Sequence, residues 1–143
     1  MPTELATQEL AARLRLSATR LARRLRTEAG GPLSPTQLSA LASIDRHGPL
    51  TLGALAERER VAPPTVTAVV AKLESDGLVS RAVDPRDRRV TLVRATDAGI
   101  ELLTENRARK TSWLITRLQN LDAAQRDRLT AALDALDALT EQA

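Results

Sequence analysis

The stretch from Ala62 to Arg94 constrains the fold of this chain more than any other part of it. Its first half, A-P-P-T-V-T-A-V-V-A-K-L-E-S-D-G over residues 62–77, reads as a short helix. Pro63 and Pro64 suit the first helical positions, where a backbone N–H has no partner in any case. Val66, Val69, Val70 and Leu73 then recur at helical spacing and supply a buried face. Asp76-Gly77 ends the helix, glycine taking the left-handed conformation that closes it. In the second half, β-prone Leu78-Val79 and Val90-Thr91-Leu92-Val93 flank Asp84-Pro85-Arg86-Asp87-Arg88-Arg89. That pattern predicts a hairpin with a cationic tip.

A helix that enters a major groove needs short side chains at its first turn and groups that meet base edges. Pro63, Pro64, Thr65, Thr67 and Ala68 meet the first need, and the threonine hydroxyls and methyls the second. Lys72, one to two turns on, is placed for a phosphate. An amphipathic helix started by proline accounts for the valines, but it leaves the exposed Thr and Lys face unexplained. The hairpin is the stronger signal. Residues 81–94 hold Arg81, Arg86, Arg88, Arg89 and Arg94 against Asp84 and Asp87. Arginine inserts favourably into a narrow minor groove, where negative potential is concentrated. Asp87, two residues from Arg89, can hold that guanidinium extended, and Asp84 can orient Arg86 or cap the loop. An ordinary charged hairpin with internal ion pairs is the plain alternative, since such pairs contribute little.

The flanking segments read as helices. Leu10, Leu14, Ala18, Leu21 and Leu25 lie on one face of residues 4–29, with Arg13, Arg20, Arg23, Arg24 and Arg26 mostly off it, and Gly30-Gly31-Pro32 ends the run. Ser34-Pro35-Thr36-Gln37 is a capping box with proline at the first helical position, and His47-Gly48-Pro49 closes that helix. Thr51 caps a short helix, Leu52–Glu59, and Glu59-Arg60-Val61 turns the chain into the helix at Pro63. Thr96 or Asp97 starts a long helix that is apolar at both ends and polar over residues 104–112, the pattern of a strut between two packed regions. Asp122 with Gln125 opens a last helix carrying Leu129, Leu133, Leu136 and Leu139. That leucine row is too rich for packing on its own domain alone, so the first and last helices are expected to form a dimer interface.

With 143 residues the chain suffices for one domain that buries roughly 70% of its unfolded surface. It has no Cys, Phe or Tyr, one Trp and one His. Disulfides, thiolate zinc sites and thiol redox switches are thereby excluded, and little remains from which to build a nucleophile–base pair, so an enzyme is not expected. No cofactor is expected either. There is no secretion signal at the N-terminus and no apolar run near the ~20 residues of a membrane span; the expectation is a soluble, cytoplasmic protein. The net charge is only +3, but it is unevenly spread. Residues 81–94 carry net +3 and residues 120–143 net −3, which points the middle of the chain toward a polyanion.

The span from Ser34 to Gly99 resembles the MarR (multiple antibiotic resistance regulator) transcription factors. The matching pieces are S-P-T-Q-L, G-P-L-T-L-G-A-L-A, P-P-T-V-T, L-E-S-D-G-L-V-S-R and D-P-R-D-R-R-V-T-L-V, followed by Thr96-x-x-Gly99. The resemblance implies a mainly α fold, a winged helix-turn-helix with about six helices and a two-stranded β wing. It also implies a homodimer through interlocked terminal helices, with residues 1–33 and 97–143 as the dimerisation region and 34–96 as the DNA-binding lobe. By the family pattern, helix 63–76 enters the major groove and Arg89, partnered by Asp87, the minor groove. Members usually repress nearby genes, and many release DNA on binding a small, often anionic aromatic effector. This sequence departs from the pattern in having Arg60 where many such turns have Gly, Ala95 before Thr96, and only Trp113 available to stack on a ligand.

The expected function is therefore a DNA-binding regulator that acts on a pseudo-palindromic duplex as a homodimer. The expected contacts come from Pro63, Pro64, Thr65, Thr67, Ala68, Lys72, Arg81, Arg86, Asp87, Arg88 and Arg89. Alternatives are a sequence-indifferent architectural DNA-binding protein and a winged helix used for protein contacts. The arginine-rich wing speaks against the latter.

Overall fold

The computed structural model describes residues 2–141. Six helices and one hairpin follow in the order α1 (Pro2–Ala29), α2 (Pro35–His47), α3 (Leu52–Glu59), α4 (Pro63–Ser75), β1 (Val79–Val83), β2 (Thr91–Ala95), α5 (Asp97–Gln119) and α6 (Ala123–Glu141). The expected mainly α winged fold is the one found.

Most boundaries follow from local chemistry. Gly30 and Gly31 both take positive φ after α1, which a side chain would resist. At α2, Ser34 Oγ accepts from the Gln37 N–H while Gln37 Oε1 accepts from the Ser34 N–H, a complete capping box. Thr51 Oγ1 accepts from the Ala54 N–H and caps α3. Thr96, not Asp97, caps α5, its Oγ1 accepting from the Gly99 N–H. Asp122 and Gln125 form the same reciprocal pair at α6. Arg126 Nη1 donates to the carbonyls of Leu118 and Leu121, at and just beyond the end of α5.

Two compact units emerge: Ala29–Ala108, and Met1–Glu28 together with Arg109–Ala143. In the first, Leu41 and Ile44 of α2, Leu55 of α3, Val70 and Leu73 of α4, and Val93 of β2 are almost wholly removed from solvent. Val79 and Leu103 complete that aliphatic core. The hairpin is antiparallel, with Val79 opposite Ala95 and Arg81 opposite Val93. Leu50 adds a bridge to Val93 through bonds of 3.0 and 2.7 Å, tying the segment before α3 to the wing.

The second unit is different. Among its described residues none is buried. Leu10 of α1 is 66% exposed, and Leu133 and Leu139 of α6 are 54% and 56% exposed. Helices this rich in leucine gain stability by burying an apolar stripe, not from propensity alone, and these leucines remain largely exposed.

Candidate nucleic-acid interface

The turn between α3 and α4 is made by a residue that sequence rules disfavour there. Arg60 sits in the left-handed region (φ 52°, ψ 46°), where glycine is the usual occupant. Its N–H donates to the Glu57 carbonyl and that of Val61 to Ala56. Val61, Val66 and Val69 then bring α4 against α3, with buried Ala56 at the contact. Two serines of α2 brace the same corner through the last carboxylate of α3: Glu59 Oε2 accepts from Ser39 Oγ at 2.7 Å, and Glu59 Oε1 accepts from Ser43 Oγ.

At the start of α4, Pro63 and Pro64 bring no N–H, and those of Thr65 and Val66 both bond the Ala62 carbonyl. The usual anion-binding amides of a helix N-terminus are therefore absent or occupied, and any contact made by this end is a side-chain contact. Pro63, Pro64, Thr65, Thr67, Ala68 and Lys72 are all exposed, opposite buried Val66, Val70 and Leu73. Ala71 and Ser75, which the sequence reading passed over, continue the same exposed face. Helical spacing from Pro64 and Ala68 was the signal that would have found them. The result is a ridge of small side chains that lets a backbone approach closely. Thr67 Oγ1 donates to the Pro63 carbonyl at 3.0 Å, so its hydrogen is spent within the helix and its methyl and lone pairs remain. Lys72 Nζ lies 3.0 Å from Asp76 Oδ1, an exposed pair one turn apart.

The strands of the wing run from Val79 to Val83 and from Thr91 to Ala95, either side of the expected loop at Asp84–Arg89, and Arg81 lies within β1. Its Nε pairs with Glu74 Oε2 of α4 at 3.3 Å, tying hairpin to helix.

The loop itself is held by its two aspartates. Asp84 Oδ1 accepts from the Arg86 N–H at 2.9 Å. Asp87 takes three bonds from one residue: Oδ1 from the Arg89 N–H and from Nε, and Oδ2 from Nη2, at 3.0–3.1 Å. The two side-chain bonds form a bidentate fork, which fixes direction as well as distance. The Arg89 side chain is nonetheless 90% exposed. These side-chain bonds, and then the Arg89 backbone N–H, hold the Asp87 carboxyl below its ordinary range, and the same contact raises Arg89. Arg86 and Arg88 are exposed on the same loop.

The start of α5 locks the wing in place. Thr96 Oγ1 donates to the Gly77 carbonyl at 2.6 Å. A Cβ on Gly99 would lie 2.2 Å from the Leu78 carbonyl oxygen, so only glycine lets α5 cross there. These two contacts are the physical content of the Thr96-x-x-Gly99 spacing.

In the other unit, Trp113 has the guanidiniums of Arg117 and Arg24 over its ring at 5.2 and 5.7 Å. The only aromatic side chain of the protein thus already serves two cations. Among the described residues no three His, Asp or Glu gather as a metal site, and no helix is long and apolar enough to cross a membrane.

A short helix joined by a tight turn to one with a small-residue face, followed by a hairpin with an arginine-bearing tip, defines a winged helix-turn-helix of the kind found in transcription regulators. Comparison with known proteins narrows the class. The model of the MarR family matches residues 33–91. An HTH-type transcriptional regulator of Mycobacterium tuberculosis is 42% identical over 134 residues, 93% of this chain and 94% of its own length. The structure of a MarR family protein from Bacillus stearothermophilus superimposes with a TM-score of 0.79 at 27% identity, covering 97% of this chain and 98% of that one. The HTH-type transcriptional repressor MdtR of Bacillus subtilis is 40% identical over 67 residues, 47% of this chain and 43% of its own. This chain belongs to the MarR family of transcriptional regulators.

Proposed function

We propose that this protein represses transcription by binding a pseudo-palindromic duplex operator as a homodimer. The carrying observation is the Asp87–Arg89 fork at the exposed wing tip. It sets one guanidinium in a fixed direction at the end of the hairpin while leaving it almost entirely in solvent. A guanidinium pre-ordered in this way loses less entropy when it enters a minor groove than a free one. The α4 ridge of Pro63, Pro64, Thr65, Thr67 and Ala68 enters the major groove, where threonine methyls and lone pairs meet base edges. Lys72, Arg86 and Arg88 contact phosphate, and Arg81 acts mainly by anchoring the wing to Glu74. The repressor reading draws on the likeness to MdtR. The dimer reading draws on the leucines of α1 and α6 that lie exposed, among them Leu10, Leu21, Leu133 and Leu139.

Release by a small anionic effector belongs to the same reading. A cavity of about 580 Å³ beside α2 is lined by Ser39, Ser43, Arg46, His47 and Arg107, with Asp45 as its only acid. Titrating phenolic carboxylates into the DNA complex, and into an Arg46→Ala/Arg107→Ala variant, tests it. Dissociation in the parent but not in the variant is the expected result.

The direct test is selection of bound fragments from sheared genomic DNA, followed by binding of the recovered site to the parent protein and to Arg89→Ala. The expected site is a pseudo-palindrome, and the substitution costs about 1–3 kcal/mol of affinity. Unchanged affinity, or recovery of fragments without a shared site, would overturn the reading.

A further inference from the structure

The exposed face of α4 is poor in the groups that usually read bases. Guanine is read in the major groove by Arg or Lys donating to O6 and N7, and adenine by Asn or Gln bonding N6 and N7 together. α4, P-P-T-V-T-A-V-V-A-K-L-E-S, contains no Arg, Asn or Gln. Its one cation, Lys72, is held 3.0 Å from Asp76 Oδ1.

Helical spacing places what remains. At about 100° per residue, Thr67, Ala71, Pro64 and Ala68 fall within about 100° of arc, centred about 140° from buried Val66, Val70 and Leu73. All four are exposed. These four side chains present no donor. Proline and alanine have none to give, and the Thr67 hydroxyl hydrogen is spent on the Pro63 carbonyl at 3.0 Å. The free amides of the first turn are used as well, since those of Thr65 and Val66 both bond the Ala62 carbonyl. Thr65 stands about 60° outside the arc, and Ser75 a full turn beyond Ala71, in the last turn of the helix.

Every base pair shows the major groove two acceptors and one amino group, but only A·T and T·A add a methyl. A surface without donors cannot use the acceptors. The lone pairs left on Thr67 accept equally from adenine N6 and cytosine N4. The methyl is then the one feature by which this arc tells the pairs apart. We propose that α4 selects its half-site through thymine C5 methyl groups packed on Pro64, Thr67 and Ala68, and not through hydrogen bonds to guanine. The proposal rests on α4 entering the major groove as set out above, and it names what that helix reads there.

Base analogues test it with the full chain. In one half-site of the recovered operator, each thymine is replaced in turn by deoxyuridine, which lacks only the C5 methyl. Each guanine is likewise replaced by 7-deazaguanine, which lacks the N7 acceptor. Both changes lie in the major groove and spare the minor-groove edges assigned to Arg89. Deoxyuridine is expected to weaken binding about fourfold at one or more positions, the effect of one buried methylene. At every guanine, 7-deazaguanine is expected to cost less than about twofold, because no hydrogen bond is lost. Thr67→Ser removes a methyl and keeps the hydroxyl, and Ala68→Gly removes the methyl at the next position. In at least one of these variants the deoxyuridine effect should shrink below about twofold at a sensitive position, since both changes delete the same contact. Undiminished affinity for every deoxyuridine operator, a larger loss with 7-deazaguanine, or a deoxyuridine effect unchanged in both variants would overturn the inference and leave DNA binding standing. A parent protein that selects no common site would overturn the reading beneath it as well.

Discussion

Arg60 is the one non-glycine residue with positive φ among the described residues. The left-handed conformation costs a side-chain-bearing residue about 1–2 kcal/mol. Replacing it with glycine frees the unfolded chain by about 0.4–1 kcal/mol. The relief is the larger effect, so Arg60→Gly should stabilise the protein by up to about 1 kcal/mol and raise its melting temperature. A lower melting temperature would mean that the arginine side chain makes a compensating contribution. Asp87 offers a second test at this scale. Its folded carboxyl titrates below its unfolded value because Arg89 donates to it from the side chain and then from the backbone. The fork is therefore complete above the unfolded value, about pH 4, and is lost only as pH falls through the lowered folded value. Operator affinity should show no titration from Asp87 between about pH 5 and 8. Asp87→Ala should weaken binding less than Arg89→Ala, since the guanidinium survives but loses its fixed direction. A step in affinity in that pH range that disappears in Asp87→Asn would contradict this account.

Among the elements, the junction of α4, β1 and α5 has the least freedom. Leu78 N–H reaches back to the Leu73 carbonyl across Gly77, whose φ is 74°. Thr96 holds the Gly77 carbonyl, and Gly99 passes the Leu78 carbonyl where a Cβ has no room. Gly99→Ala must push α5 off the wing, and a loss of about 3 kcal/mol or more is expected in chemical denaturation. A loss under about 1 kcal/mol would show that the crossing can slide. Much at this scale was legible beforehand. The Ser34 and Asp122 capping boxes, the Thr51 cap, and the proline start and glycine stop of α4 are each written within four residues. Strand length was not legible, because Ser80, Arg81 and Ala82 carry no alternation of their own. Leu92 and Val93 across the ladder place them in a strand.

For the whole molecule, the proposed contacts imply steep salt dependence. If Lys72, Arg86, Arg88 and Arg89 of each protomer meet phosphate or the minor groove, the logarithm of affinity should fall with the logarithm of salt at a slope of about −7. Fluorescence anisotropy on the recovered operator from low to moderate salt measures it. A slope near −3 or shallower would remove one protomer from the interface.

What the sequence settled alone was whatever depends on neighbours a few positions apart. That covers the helix limits, the hairpin, the cationic tip, and the pairing of Asp87 with Arg89, two residues away. What only the tertiary structure decided was which basic groups are already engaged. Arg81 is bound to Glu74 of α4, Lys72 to Asp76, and Arg126 and Arg128 to backbone carbonyls, while Arg89 is oriented yet left in solvent. It decided too that Leu10 and Leu21 of α1 and Leu129, Leu133, Leu136 and Leu139 of α6 stay exposed. The reason is one of range. Capping and periodicity act over a turn of backbone, whereas burial and charge pairing depend on which distant segments the fold brings together.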